Sequence, residues 1–212
     1  MDWKAELFVV PADEVLFPHD VLVTAVSPMV ALDLEEAIDA GPVLFLARRA
    51  GASRGSGRAG LYRTGTIAQL STVEAPDGRV YLMARGLARA TVEGFAGRLP
   101  SLYARVLAPP EAPVFGVDEA RVLHELRASV RRIARSDPHL EPELVEELMG
   151  ITEVWPLVDV VAGHLVPSLE DRQGLLETWN RFRRLELLRA HLRRLELTGA
   201  LPGGRPPDAY LH

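Results

Sequence analysis

The chain has 212 residues, 48% of them apolar and 25% charged, with a formal net charge of −5 at pH 7. This composition is typical of a soluble globular protein of one or two domains, and the acidic balance argues against a general nucleic-acid binder. The absence of cysteine excludes disulfides, thiolate metal sites and a cysteine nucleophile, and Lys4 is the only lysine for any mechanism that needs one.

The N-terminal sequence MDWKAELFVV has an acidic second residue and no apolar segment followed by a small-residue cleavage site. It therefore predicts no signal peptide. No apolar run approaches the roughly 18 residues that a membrane span needs. We expect a cytoplasmic protein that does not enter the membrane.

The first half of the chain predicts short strands joined by turns. Pro-Asp-Gly, in the sequence APDGR, is typical of a β-hairpin, and Gly86 predicts a bulge or bend in the strand region that follows. About seven strands are expected, over residues 6–10, 21–26, 42–47, 61–74, 79–85, 88–95 and 102–107.

Two other segments interrupt these strands. A single helix is predicted over residues 32–40, because Gly41 and Pro42 provide a stop signal. The sequence AGASRGSGRAG, residues 50–60, is rich in glycine, serine and arginine and predicts a mobile loop.

The second half of the chain predicts helices. The proline-rich residues 108–116 indicate a boundary, and Asp118 and Ser168 are expected N-caps, with Asp171 as the acidic partner of Ser168. Helices are predicted over residues 118–135, 141–149, 155–165, from 169, and 178–197. We therefore expect an α+β protein with a β-module at residues 1–110, a helical bundle at residues 111–200 and a flexible tail at residues 201–212.

Adjacent His19 and Asp20 lie between two apolar runs in VLFPHDVLV, residues 15–23. Neighbouring side chains of a strand point to opposite faces, so these two cannot form a His–Asp relay with each other. The sequence has no GxSxG motif, no GK[ST] phosphate loop and no HExxH pair among its six histidines. Pro18 and His19 are interpreted as a turn, and no catalytic residue, metal ligand or cofactor is predicted.

The last predicted helix is rich in arginine. This concentration fits a face for an acidic partner or RNA, or it fits charge pairing within the protein, where residues 141–147 are acidic. Pairing within the protein is the favoured interpretation. The arginines are Arg181, Arg183, Arg184, Arg189, Arg193 and Arg194.

Four stretches follow one another in an order that is informative as a set. Residues 7–26 give a strand ending in proline, a Phe-Pro segment and a second strand. Residues 61–95 give a Gly-Thr-apolar-Ala start, the hairpin and a Gly-x-x-Arg element at Gly86–Arg89. Residues 103–111, YARVLAPPE, give a last strand, and residues 156–177 give an apolar helix and a Gln-x-x-Leu-Leu-Glu run. Together these stretches resemble the Lon protease N-terminal (substrate-binding) domain family.

The resemblance implies a compact β-module, a twisted barrel or sheet related to PUA-like folds, followed by a helical bundle. It also implies a non-enzymatic module that binds unfolded or partner polypeptide, since this domain contributes to substrate recognition in the family. Full Lon proteases continue into an AAA+ ATPase and a Ser–Lys protease domain. Neither is expected in this chain, which has no lysine after Lys4. A full-length Lon protease is the second partner that the resemblance suggests.

Phe17, Pro18, Pro28 and Met29 are the candidate partner-binding residues, because we expect them at the entry to the first predicted helix. Two alternatives stay open for Phe17 and Met29: they rim a binding groove, or they close the core of the β-module. The alternative function is RNA or nucleotide binding, by analogy to PUA-like folds, and the acidic balance argues against it.

Overall fold

A computed structural model gives the fold, and it describes residues 3–26, 38–39, 41–52, 54–74, 80–98, 101–111 and 114–198. The chain divides into two compact units, with the division between Pro110 and Glu111. The strands lie in the first unit and the long helices lie in the second, so the predicted α+β class is confirmed. The predicted tail lies outside the described residues.

The first unit is built on a mixed sheet. Its described strands are β1 (Trp3–Ala12), β2 (Val21–Val26), β3 (Val43–Ala47), β4 (Thr64–Glu74), β5 (Val80–Arg98) and β6 (Ser101–Ala108). The strand order is β2-β5-β4-β3-β1-β6, and β6 also pairs with β5. The β1–β3 pair is parallel and the other pairs are antiparallel.

Six described strands stand where about seven were predicted, because the two expected around Gly86 form one strand, β5. Ile67 pairs with Ala88 and Ala68 pairs with Gly86, so Leu87 has no opposite residue in β4. This is the bulge predicted at Gly86: it bends the strand without ending it. The turn of the predicted hairpin lies outside the described residues, but the strands on either side of it pair antiparallel, as a hairpin requires.

The segment predicted as a mobile loop contains a 3-10 helix, Arg54–Gly60, with a kink at Gly57. Main-chain hydrogen bonds fix its exit, from Arg49 N–H to the Gly60 carbonyl at 2.8 Å and from Tyr62 N–H to the Ala47 carbonyl at 3.0 Å. The composition predicted a mobile loop because a sequence rich in glycine and serine does not show which main-chain hydrogen bonds form. The predicted helix at residues 32–40 is described only at residues 38–39, which are helical.

Two apolar clusters fill the first unit, one on each face of β3. Leu44 and Leu46 belong to one cluster, and Val43 and Phe45 belong to the other. All five residues of β3 are buried, which is typical of a strand covered on both faces. The strand predicted over residues 42–47 is confirmed, with its start at Val43.

The second unit contains five described helices: α1 (Glu119–Ser136), α2 (Pro142–Gly150), α3 (Val154–Leu165), α4 (Leu169–Glu177) and α5 (Arg181–Thr198). Both predicted N-caps are confirmed, since Asp118 accepts the N–H of Arg121 and Ser168 accepts the N–H of Asp171, each at 3.0 Å. The predicted last helix starts three residues late, because Asn180 caps it by accepting the N–H of Arg183 at 2.9 Å.

The core of the second unit surrounds α3, of whose 12 residues nine are buried. This explains the apolar sequence VWPLVDVVAGHL, which lacks the polar face of a surface helix. A stripe of four leucines on α5 is buried as well. It consists of Leu185, Leu188, Leu192 and Leu195.

Candidate functional site

Residues 17–20 form a tight turn that leads into β2. The N–H of Asp20 donates to the carbonyl of Phe17 at 3.3 Å, and His19 has a φ of 67°. Proline at the second position and a positive φ at the third are typical of a type II turn. The carboxylate of Asp20 accepts the N–H of Val21 at 2.8 Å. The predicted turn is therefore confirmed, and Asp20 has a backbone-binding role in it.

Gly86 of β5 holds this turn against the sheet. Its N–H donates to the carbonyl of Asp20 at 2.9 Å, and its carbonyl accepts the N–H of His19 at 3.0 Å. A Cβ at this position would lie 2.0 Å from the carbonyl oxygen of Phe17. The backbones approach so closely that a side chain does not fit between them.

Two further side chains fix the segment that precedes the turn. The hydroxyl of Thr66 donates to the carbonyl of Leu16 at 2.6 Å. The guanidinium carbon of buried Arg89 lies 6.0 Å from the centre of the Phe17 ring. The Gly-x-x-Arg element thus has a structural role, in which Gly86 receives the turn and Arg89 contacts its aromatic residue.

The structure places the four predicted binding residues in two groups. Phe17 is fully buried and Pro18 is buried, so the interpretation of these two as an exposed rim is wrong. Phe17 instead follows the alternative left open from the sequence and closes the core, since the turn and Arg89 direct its ring inward. Pro28 and Met29 lie outside the described residues, and their role stays a prediction.

β2, which follows the turn, forms an edge of the sheet. Among the described strands it is the one with a single strand partner, β5. The pairing runs from Val21 opposite Arg85 to Val26 opposite Val80 without a register shift. The opposite long edge of β2 therefore has no strand against it within the described part of the chain.

Apolar side chains lie beside this edge on the outer face of the sheet. Val21 and Leu87 are 40% and 43% exposed. Three further residues are half-buried: Val23 follows Val21 on the same face of β2, Met83 pairs with Val23, and Tyr81 lies two residues before Met83 on β5. The five residues, named the edge patch, are Val21, Val23, Tyr81, Met83 and Leu87.

Part of the edge patch has a signal in the sequence. Tyr81 and Met83 alternate with Leu82 and Ala84, which predicts a strand with two distinct faces. Leu82 and Ala84 are buried in the core, so the face with Tyr81 and Met83 is the accessible one. The sequence could not show that β2 lies at the edge, because strand order depends on pairings between distant segments.

Four of the six arginines of α5 form ion pairs with carboxylates of the second unit. Arg184 binds Glu111, and Arg189 binds Glu125 of α1. Arg183 lies 3.5 Å from Glu186 on its own helix. The favoured prediction of pairing within the protein is confirmed, but these partners lie outside the acidic residues 141–147 that the sequence suggested. Pairing lowers the positive potential available to an RNA backbone.

Arg184 is the largest fully buried side chain in the described structure. It donates to Glu111 Oε1 at 2.8 Å and to the carbonyl of Thr178 at 2.9 Å. Its Nε lies 3.3 Å from a carboxylate oxygen of Asp159, which is also buried. The cluster surrounds one guanidinium with two carboxylates and has the character of a structural ion network.

His191 of α5 lies in a surface groove with Asp171 and Arg194. Burial lowers the pKa of His191 below its usual value, the carboxylate of Asp171 opposes this shift, and Arg194 adds to it. The imidazole Nδ1 lies 3.9 Å from Asp171 and 3.0 Å from an Arg194 nitrogen. The neutral imidazole is therefore the favoured form in the folded protein.

No group of three or more histidine, aspartate or glutamate side chains is placed to hold a metal ion within the described ranges. The helices among these residues include none with the length and apolar character needed to cross a membrane.

The comparisons with known proteins agree on one family. The model of the ATP-dependent protease La (LON) substrate-binding domain matches residues 6–194. The Lon protease of Xanthomonas oryzae pv. oryzae is 30% identical over 186 residues, which cover 83% of this chain and 21% of that protein. The Lon protease of Phenylobacterium zucineum is 30% identical over 195 residues, which cover 89% of this chain and 24% of that protein.

Solved structures show the same fold. The N-terminal domain of the Mycobacterium avium complex Lon protease superposes with a TM-score of 0.68 at 18% identity, covering 89% of this chain and 98% of that one. The Lon N-terminal domain protein from Xanthomonas campestris gives a TM-score of 0.61 at 22% identity, covering 88% and 98%. The chain thus spans nearly all of these solved domains, but only 21% and 24% of the two curated relatives.

Proposed function

The chain belongs to the substrate-binding domain family of ATP-dependent protease La (Lon), and on this premise we propose that it is a non-catalytic module that binds unfolded polypeptide at the edge patch. The observation that carries the proposal is the position of the patch. Val21 and Leu87 expose apolar surface beside the edge that β2 forms in the sheet. Such surface is typical of interaction sites.

The chemistry of the edge patch fits an unfolded polypeptide better than the surface of a folded protein. Met83 and Tyr81 provide an adaptable thioether and an aromatic ring, which accommodate varied apolar side chains. The hydrophobic contribution is non-directional, so it does not require one particular sequence in the bound segment.

A binding assay tests this function directly. A fluorescently labelled, reduced and carboxymethylated protein, which cannot refold, is titrated with the full chain, and anisotropy is measured. We expect a dissociation constant on the order of tens of micromolar and much weaker binding of the same labelled protein in its native, disulfide-bonded form. Equal binding of the two forms, or no binding of the unfolded one, would contradict the proposal.

Two leucine variants locate the site. Leu87→Asp places a charge in the edge patch and should weaken binding of the unfolded protein about tenfold, since it removes apolar contact area. Leu197→Asp is the matched control, because Leu197 is 87% exposed and lies on α5 in the other unit. An equal loss in both variants would place the binding elsewhere.

A full-length Lon protease stays a predicted partner of the chain. Addition of the chain to a degradation assay with a purified Lon protease and an unfolded substrate should change the rate, by competing for substrate or by delivering it. An unchanged rate at saturating chain would remove this partner and leave polypeptide binding intact.

A further inference from the structure

We propose that the bound polypeptide adds a strand to the sheet, with its main chain paired along the free edge of β2. This inference rests on the proposed binding of unfolded polypeptide and specifies how the bound segment is held. An extended chain is the ligand whose hydrogen-bonding groups repeat at the spacing of a strand edge.

The register between β2 and β5 shows which main-chain groups face the free edge. The Gly86 N–H donates to the Asp20 carbonyl, so this carbonyl points toward β5. Main-chain groups alternate in direction along an antiparallel strand, and the pairing of β2 has no register shift. Val21, Val23 and Ala25 therefore direct their N–H and C=O groups away from β5.

One of these three outward donors already has an acceptor. The N–H of Val21 donates to the carboxylate of Asp20 at 2.8 Å. This bond terminates the edge at its first residue and leaves Val23 and Ala25 as the donors for an incoming strand. The bound segment is thus expected to pair with the second half of β2.

Over its described residues, β2 lacks three of the features with which proteins block strand addition. These features are charged side chains, proline, and bulges that twist the edge away. The sequence VLVTAV contains no charge and no proline, and its pairing with β5 is regular. The neighbouring β5 has a bulge at Leu87 and a register shift near Glu93, and both lie beyond the end of this pairing.

The size of the site favours a single extended segment over a second copy of the chain. A stable interface between folded proteins needs about 20–30 residues on each side. β2 has six residues and the edge patch adds three from β5. A strand added at β2 would place every second side chain on the face that carries Val21, Val23 and Met83.

Two peptides of the same sequence test the role of the main chain. One is a labelled six-residue apolar peptide, matched to the length of β2, and the other carries a methyl group on every backbone nitrogen. Both present the same side chains, but the second cannot donate main-chain hydrogen bonds. We expect the methylated peptide to bind the full chain at least about tenfold more weakly. Equal affinity would overturn strand addition.

Variants at Val23 test the same point from the protein. Val23→Pro removes an outward donor without removing a bond to β5, whereas Val23→Thr has a similar shape and keeps the N–H. We expect the proline variant to lose about tenfold in affinity for the unmodified peptide and the threonine variant to bind like the original chain. If thermal unfolding shows that Val23→Pro does not fold, the peptide pair decides the question.

The outcomes separate this inference from the proposed function. Strand addition would be overturned if the carboxymethylated protein binds Val23→Pro as tightly as the original chain and the methylated peptide binds as tightly as the unmethylated one. The proposed recognition of unfolded polypeptide would still stand. The absence of any binding to unfolded polypeptide would overturn the proposed function itself. A dimer in sedimentation that Val23→Pro dissociates would assign the edge to a second copy and overturn the proposed occupant.

Discussion

The two units of the molecule are stabilised at their key positions by different interactions. In the first unit, backbones meet at van der Waals distance, and Gly86 and Thr66 bind the main chain of the turn region. In the second unit, α3 and α5 meet around the buried guanidinium of Arg184. The first unit should therefore be sensitive to added volume, and the second should be sensitive to removed charge.

The largest effect is expected from Arg184→Met. This change keeps an apolar side chain in the core but leaves the carboxylates of Asp159 and Glu111 without their shared partner. Loss of one member of a buried ion pair costs about 3–5 kcal/mol. Urea unfolding followed by the helical circular dichroism signal measures the change. Arg183→Met is the control, since the Arg183 side chain is 63% exposed and its loss should cost less than about 1 kcal/mol.

Gly86→Ala tests whether the first unit is sensitive to added side-chain volume. The added methyl group would lie 2.0 Å from the Phe17 carbonyl, so the turn or the strand must move. We expect a loss of about 3 kcal/mol in the free energy of unfolding, the upper range for overpacking. Gly174→Ala is the matched control, because Gly174 lies on α4 with no atom near the new Cβ. It should raise the stability by about 0.5–1 kcal/mol. Equal changes in the free energy of unfolding for the two variants would contradict the expected difference between the units.

The smallest expected effect is a pH dependence of the second unit. Burial lowers the pKa of His191 in the folded state, while Asp171 opposes the shift and Arg194 adds to it. As the pH falls below about 6.5, the unfolded chain binds more protons than the folded one, so this contribution to stability decreases. The urea midpoint of the His191→Gln variant should change less between neutral and acidic pH than the urea midpoint of the original chain. A midpoint that rises on acidification in a His191-dependent way would contradict the assignment.

The sequence predicted the local features of the fold because their signals are local. Asp118 and Ser168 were found as N-caps from neighbouring residues, and Gly86 was found as a bulge because glycine breaks a strand pattern. The start of α5 was placed three residues too early, since Asn180 caps this helix within a continuous helical pattern.

The candidate site was less accessible from sequence because burial and strand order are tertiary properties. Phe17 was placed on a rim in one alternative, but the turn and the contact with Arg89 direct its ring inward. The arginines of α5 were expected to pair with nearby acidic residues, but Arg184 pairs with Glu111, which lies 73 positions earlier. Neither the contact of Phe17 with Arg89 nor the ion pair of Arg184 with Glu111 produces a periodic pattern in the sequence.

Hydrogen–deuterium exchange of the β2 amides shows whether a bound polypeptide pairs with this strand. The full chain is labelled with and without an excess of the carboxymethylated protein, and exchange is resolved to single amides by NMR. Because Val23 and Ala25 direct their N–H groups to the free edge, we expect these two amides to become protected on binding. Leu22 and Thr24, which face β5, should change little. Binding that leaves Val23 and Ala25 unprotected would contradict strand addition.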